Sequence, residues 1–80
     1  MNVLVIEDEP LAADRLKLLL SKYDNSIQIA DCLESIEQTV HWLQTKPHPD
    51  LLLMDIQLSD GHSFEIFKQV TLNRPVIFTT

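Results

Sequence analysis

Three carboxylates stand where this chain could do chemistry. Glu7 and Asp8 close one apolar run, Asn2-Val3-Leu4-Val5-Ile6, and Asp55 closes another, Asp50-Leu51-Leu52-Leu53-Met54. Runs this apolar suit strands buried on both faces, as in a parallel sheet covered by helices. In open sheets of that kind, ligands bind in the crevice beyond the carboxyl ends of the strands. If the two strands are neighbours, all three acids share one crevice. At a separation of about 5 Å and an effective dielectric near 20, each like-charge pair costs on the order of 3 kcal/mol. A cation or a raised pKa must offset that cost. A hard divalent metal with oxygen ligands is the simplest expectation.

The elements that must position these acids follow from the pattern of the chain. A first strand covers about residues 2 to 7, and Pro10 suits the first turn of a helix. Ala12, Leu16, Leu19, Leu20 and Tyr23 recur at helical spacing, which carries that helix to about Tyr23. Asp24-Asn25-Ser26 is a turn cluster, and Ile27 to Cys32 reads as a second strand. Ser35 with Gln38 is a candidate capping box. Ile36, Val40 and Leu43 mark the buried stripe of a second helix, ended by Pro47 and Pro49. The third strand is Asp50 to Asp55, and Ser59-Asp60-Gly61 makes the next turn. Phe64, Phe67 and Val70, with Ile66 beside them, form a third helical stripe. Pro75 opens a last strand, Val76 to Thr80.

This β-α-β-α-β-α-β alternation predicts an α/β doubly wound parallel sheet with right-handed crossovers. For the first and third strands to be neighbours, the first helix must cover one face and the next two the other. The switch point then falls between those strands, beside the three acids.

Composition narrows the function classes. The chain has 80 residues, 45% of them hydrophobic, with 12 acids against 6 bases and a formal net charge of −6. It makes one small domain at most. The negative balance argues against direct nucleic-acid binding, which wants a basic stripe. Cys32 is the single cysteine, so no internal disulfide can form, and its expected role is that of a small core hydrophobe. Acids at Glu7 and Asp8 interrupt any signal-peptide core, and no apolar stretch approaches the roughly 20 residues of a membrane span. A cytoplasmic protein with no membrane partner is the expectation. His41, His48 and His62 lack metal-ligand spacing and read as surface residues. Trp42 reads as core or interface.

With the strands placed, the chain resembles the receiver domain of two-component response regulators, a flavodoxin-like fold with strand order 2-1-3-4. The resemblance spans all 80 residues. It rests on Val3-Leu4-Val5-Ile6-Glu7-Asp8-Glu9-Pro10, Leu53-Met54-Asp55-Ile56, Asp60-Gly61 and the closing Pro75-Val76-Ile77-Phe78-Thr79-Thr80. The stretch from Asp55 to Phe67 is similar to receivers attached to LytTR-type DNA-binding domains.

The resemblance implies a role for each matched residue. Asp55 matches the aspartate that accepts a phosphoryl group from a histidine kinase. Asp8 and Glu7 match the acidic pair that holds Mg²⁺, Asp8 directly and Glu7 through water, and the backbone carbonyl of Gln57 matches a further ligand. Thr80, five residues after Pro75, matches the switch hydroxyl and is preferred over Thr79. The expected partners are a histidine kinase and, through a separate output domain, DNA. A phosphorylation switch is expected, not a turnover enzyme.

The family pattern also has a fifth strand ending in a lysine, followed by further helices. None of Lys17, Lys22, Lys46 or Lys68 lies at a strand terminus, so residues 1–80 are expected to be a receiver incomplete at its C-terminus. An uncovered sheet face and an open strand edge would invite pairing with a second copy as a homodimer. The alternative is a phosphorylation-independent interaction module with a receiver fold. A Toprim-type nucleotidyl-transfer domain needs Asp-x-Asp, and Gln57 occupies the second position. A haloacid-dehalogenase-type phosphatase needs a second aspartate two residues after its nucleophile, which neither Asp8 nor Asp55 has.

Overall fold

The sheet strands and their crossover helices appear in the expected order in a computed structural model, which describes residues 1–79. The elements are β1 (Asn2–Ile6), α1 (Pro10–Tyr23), β2 (Gln28–Leu33), α2 (Ile36–Thr45), β3 (Leu51–Met54), β4 (Gln57–Leu58), β5 (Gly61–His62), α3 (Glu65–Gln69) and β6 (Val76–Phe78). Four strands form a parallel sheet in the order β2-β1-β3-β6, which is the expected 2-1-3-4 with β6 as fourth strand. β1 and β3 are neighbours, pairing Val3 with Leu51 through Ile6 with Met54.

Alternation along the central strands splits the core in two. Leu4, Ile6, Leu52 and Met54 point to one side, where they meet Ile36, Val40, Trp42 and Leu43 of α2 and Ile66 of α3. Val3, Val5 and Leu53 point to the other, under Leu16 and Leu20 of α1. Each fully buried aliphatic side chain contributes about 1.5–3 kcal/mol. The helices are therefore held by the sheet faces that the apolar runs create, and Trp42 is core.

Three expectations need correction. In α1, Leu19 and Tyr23 belong to the predicted stripe but are exposed, while Ala13 is buried. Ala13, Leu16 and Leu20 make a narrower seam, because α1 touches the sheet along one line. In α3, Ile66 is fully buried, whereas Phe64 and Phe67 are exposed. The helix spans only Glu65–Gln69, one turn or so, which points one residue at the core. Phe64 instead stacks outside it, edge-on to Phe78 at a centroid distance of 5.1 Å. Finally, His48 is half-buried, with Nε2 2.9 Å from the Leu43 carbonyl at the end of α2.

The expected turn at Ser59-Asp60-Gly61 is more than a turn. It is the tip of a hairpin in which β4 and β5 pair antiparallel, Gln57 with His62 and Leu58 with Gly61. Gly61 has φ +139°, which a side chain rarely adopts, and a Cβ there would lie 3.3 Å from Ile36 Cδ1. The hairpin therefore packs closely on the start of α2. The Ser35–Gln38 box is present in shifted form: Gln38 N donates to Ser35 Oγ at 3.1 Å. The Gln38 side chain accepts from Glu34 N at 2.8 Å, one residue earlier than in the usual box.

Candidate functional site

Backbone ladders at the sheet's carboxyl edge fix two of the three acids, Glu7 and Asp55, and Thr79 beside them. Glu7 N donates to Leu33 O at 2.8 Å, Asp55 N to Ile6 O at 2.9 Å, and Thr79 N to Met54 O at 2.9 Å. These bonds carry the parallel pairing one residue past β1, β3 and β6. Alternation therefore continues, and Glu7, Asp55 and Thr79 project on the α1 side of the sheet. Asp8 follows Glu7 in the short link to Pro10, where α1 begins.

Glu7, Asp8 and Asp55 each offer a carboxylate oxygen, and these atoms all lie within 4.8 Å of one another. Glu7 is 7% exposed, and Asp8 and Asp55 are half-buried. Among the described residues, Glu7 accepts one hydrogen bond, from Glu9 N to Oε2 at 3.2 Å. Burial pushes the Glu7 carboxyl above its ordinary pKa, and the nearby charge of Asp55 pushes it further. The Glu9 N–H opposes both but does not outweigh them. The site is thus a compact set of hard oxygen donors with uncompensated negative charge, one of them poorly solvated. Such a set suits a small hard cation that keeps part of its water.

The remaining predicted site residues are placed differently. Gln57 lies two residues after Asp55, opens β4 and is exposed. Thr80, predicted as the switch hydroxyl, lies outside the described residues. The cysteine is half-buried on the α1 side of the sheet, where burial pushes the thiol pKa up, consistent with a packing role.

Two placements were not predicted from the sequence. Thr79 lines a cleft of about 190 Å³ together with Glu7 and with Ala12, Arg15 and Leu16 of α1. Alternation counted from Val76 points to this, since Thr79 must face α1. Asp60 was expected only as a turn residue, yet its carboxylate accepts from Ile36 N at 2.8 Å and Glu37 N at 3.1 Å. No signal in the chain links positions so far apart.

Comparison with known proteins agrees with this geometry. The family model described as response regulator receiver domain matches residues 3–80. Sensory transduction protein LytT of Bacillus anthracis is 40% identical over 86 residues, covering 100% of this chain and 33% of that protein. Transcriptional regulatory protein BtsR of Salmonella typhi is 35% identical over 68 residues, covering 82% of this chain and 27% of that protein. The chain thus spans about a third or less of these curated relatives. Among solved structures, the PhyR response regulator REC domain of Erythrobacter litoralis superposes with a TM-score of 0.78 at 35% identity, covering 96% of this chain and 60% of that one. The MaeR response regulator bound to beryllium trifluoride gives a TM-score of 0.82 at 26% identity, covering 100% of this chain and 66% of that one. With its motifs, sheet order and relatives in agreement, this chain belongs to the response regulator receiver domain family.

Proposed function

We propose that this receiver is a phosphorylation switch in which Asp55 takes a phosphoryl group from a histidine kinase. The reading is carried by one observation, the gathering of the Glu7, Asp8 and Asp55 oxygens within 4.8 Å at the carboxyl ends of β1 and β3. In this reading Mg²⁺ is held by Glu7, Asp8, Asp55 and the backbone carbonyl of Gln57. The donor set fits such an ion, being all oxygen, anionic and only partly buried. Bound there, the ion supplies charge neutralisation for the acids and for the phosphoryl oxygens.

The chain's own residues supply positioning. Asp55 N is tied to Ile6 O, which holds the nucleophile at the end of a central strand. A carboxylate oxygen of Asp55 attacks phosphorus in line, forming a P–O bond. The bond from phosphorus to the donor's nitrogen or oxygen breaks, and the leaving group keeps the electron pair and takes a proton from water. An ionised carboxylate carries no proton, so no general base is required. The product acyl phosphate adds roughly two negative charges and strong acceptors, enough to order a nearby loop. Thr80 is assigned as the hydroxyl that answers this change by donating to a phosphoryl oxygen.

The chain acts as a switch and not as a turnover enzyme. Residues 1–80 serve as the N-terminal portion of the receiver, and a separate DNA-binding domain delivers a transcriptional output. The net charge of −6 supports delegating DNA contact to another domain. No helix among the described residues is long and apolar enough to cross a membrane.

Incubating the protein with Mg²⁺ and a small acyl-phosphate donor, then weighing it intact, tests the proposal. Wild type should gain the mass of one phosphoryl group, and Asp55→Asn should gain none. A folded wild type that never gains mass would shift the function to a phosphorylation-independent interaction module.

A further inference from the structure

We infer that the groove between α2 and α3 docks a short basic segment of a partner protein. Lysine or arginine side chains of that segment meet Glu37 and Glu65, and its apolar side chains rest on the groove floor. The groove has a volume of about 710 Å³. Ile36 and Val40 form the floor and are almost wholly buried. The walls are exposed, with Glu37 and Gln44 coming from α2 and Glu65 and Gln69 from α3. Asp60, at the tip of the hairpin, closes the end near the start of α2.

Charge selects the occupant. The lining holds three carboxylates, those of Glu37, Asp60 and Glu65, and no lysine or arginine. Asp60 is kept ionised by the Ile36 and Glu37 N–H groups that donate to it. Glu65 meets Lys68 at 3.1 Å, but both side chains are exposed, and such a pair is weak enough to yield to an incoming cation. Carboxylates around one groove raise the local concentration of a cationic partner and steer it in. Among the described residues, only Glu7, Asp8 and Asp55 gather closely enough to share one metal ion. The groove therefore suits separate cationic groups spaced along a chain. Its lining runs along α2 from Ile36 to Gln44. That is about 12 Å of helix, the span of roughly four extended residues. Gln44 and Gln69 offer exposed amides that can pair with a peptide backbone. The aliphatic stem of a lysine or arginine can lie on the floor while its charged head reaches the rim.

The groove lies on the sheet face opposite α1 and shares no residue with the acidic site, so docking does not rest on the phosphorylation reading. Isotope-labelled protein titrated with a short capped peptide of alternating lysine and leucine tests it by NMR. Amide signals of Glu37, Gln44 and Gln69 should shift and saturate, and the counterpart peptide with glutamate for lysine should leave them still. Glu37→Gln and Glu65→Gln should each weaken binding by about two- to fivefold, the scale of one exposed ion pair. Gln44→Lys, which adds a like charge to the wall, should weaken it at least as much. Asp14→Asn, an equal change of charge on exposed α1, should leave binding unchanged. Shifts centred on α1 or on the acidic site, or no saturable binding, overturn the proposal. An equal loss in Asp14→Asn also overturns it, because the attraction would then belong to the net charge of −6 and not to the groove.

Discussion

The Asp60 carboxylate accepts the Ile36 N–H at 2.8 Å across 24 residues of chain, and so caps α2 from outside its own sequence neighbourhood. With Glu37 N on the other oxygen at 3.1 Å and Gln38 N on Ser35 Oγ at 3.1 Å, the first three amides of α2 are satisfied. Gly61 lets the chain pass close to Ile36 immediately afterwards. The hairpin that follows β3 is thereby fastened to α2.

Removing that cap should cost about 1–2 kcal/mol, the usual scale for losing a side-chain acceptor at a helix start. Asp60→Ala should lower the urea midpoint with little change in slope, and Asp60→Asn, which keeps one acceptor, should lower it less. Amide exchange should quicken at Ile36 and Glu37 before it does in β1 or β3. Unchanged exchange at those two amides would show that the cap is idle in solution.

The same carboxylate makes stability depend on acid. Partial burial pushes the Asp60 pKa up, but the N–H donors of Ile36, Glu37 and Asp60 itself outweigh it and hold the pKa below 3.8. A carboxyl depressed on folding contributes stability that is present above its unfolded pKa and is lost as pH falls through the folded value. Stability measured from neutral pH downward should therefore fall less steeply below about pH 4 in Asp60→Asn than in wild type. Parallel curves would contradict the assignment.

Much of this arrangement was legible in the chain. The two near-continuous apolar runs marked β1 and β3 as strands buried on both faces, but their adjacency stayed a condition until the family resemblance implied the order 2-1-3-4; that adjacency brings Glu7, Asp8 and Asp55 together. The limits are equally physical. Helical periodicity at Phe64 and Phe67 suggested core, but a five-residue helix aims only Ile66 inward. The aromatic rings cluster on one another instead. The β4–β5 hairpin was hidden because two-residue strands leave no periodicity to detect. The long-range partner of Asp60 depends on tertiary packing, and a local pattern carries no trace of it.

Core mutations should rank by this burial and not by side-chain size. Ile66→Ala should cost about 2–5 kcal/mol, a large share of the stability of so small a domain. Phe67→Ala, at a residue 39% exposed, should cost less although a larger side chain is removed. Chemical denaturation of the two variants checks the order, and a reversed ranking would displace Ile66 from the centre of the α3 contact.

Charge relief at the acidic cluster should be measurable without any phosphodonor. Mg²⁺ at a hundred times its dissociation constant should stabilise the fold by about 2.7 kcal/mol through mass action alone. Glu7→Gln should stabilise the metal-free protein at neutral pH and blunt the response to Mg²⁺. Because burial raises the Glu7 pKa above 4.5 in the fold, its ionised form costs stability above the folded pKa, and that cost is gone below 4.5. The advantage of Glu7→Gln should accordingly fade as pH falls through this window. Thermal melts with and without the ion test both statements.

The central claim is that the phosphoryl group lands on Asp55 and nowhere else. An acyl phosphate on aspartate is reduced by borohydride to homoserine, which marks the modified position permanently. After treatment with a phosphodonor and Mg²⁺, then borohydride and peptide mass mapping, the account predicts homoserine at position 55 alone, absent when the metal is chelated. Homoserine at position 8, or an unmodified Asp55 in folded protein treated with donor and metal, would contradict it.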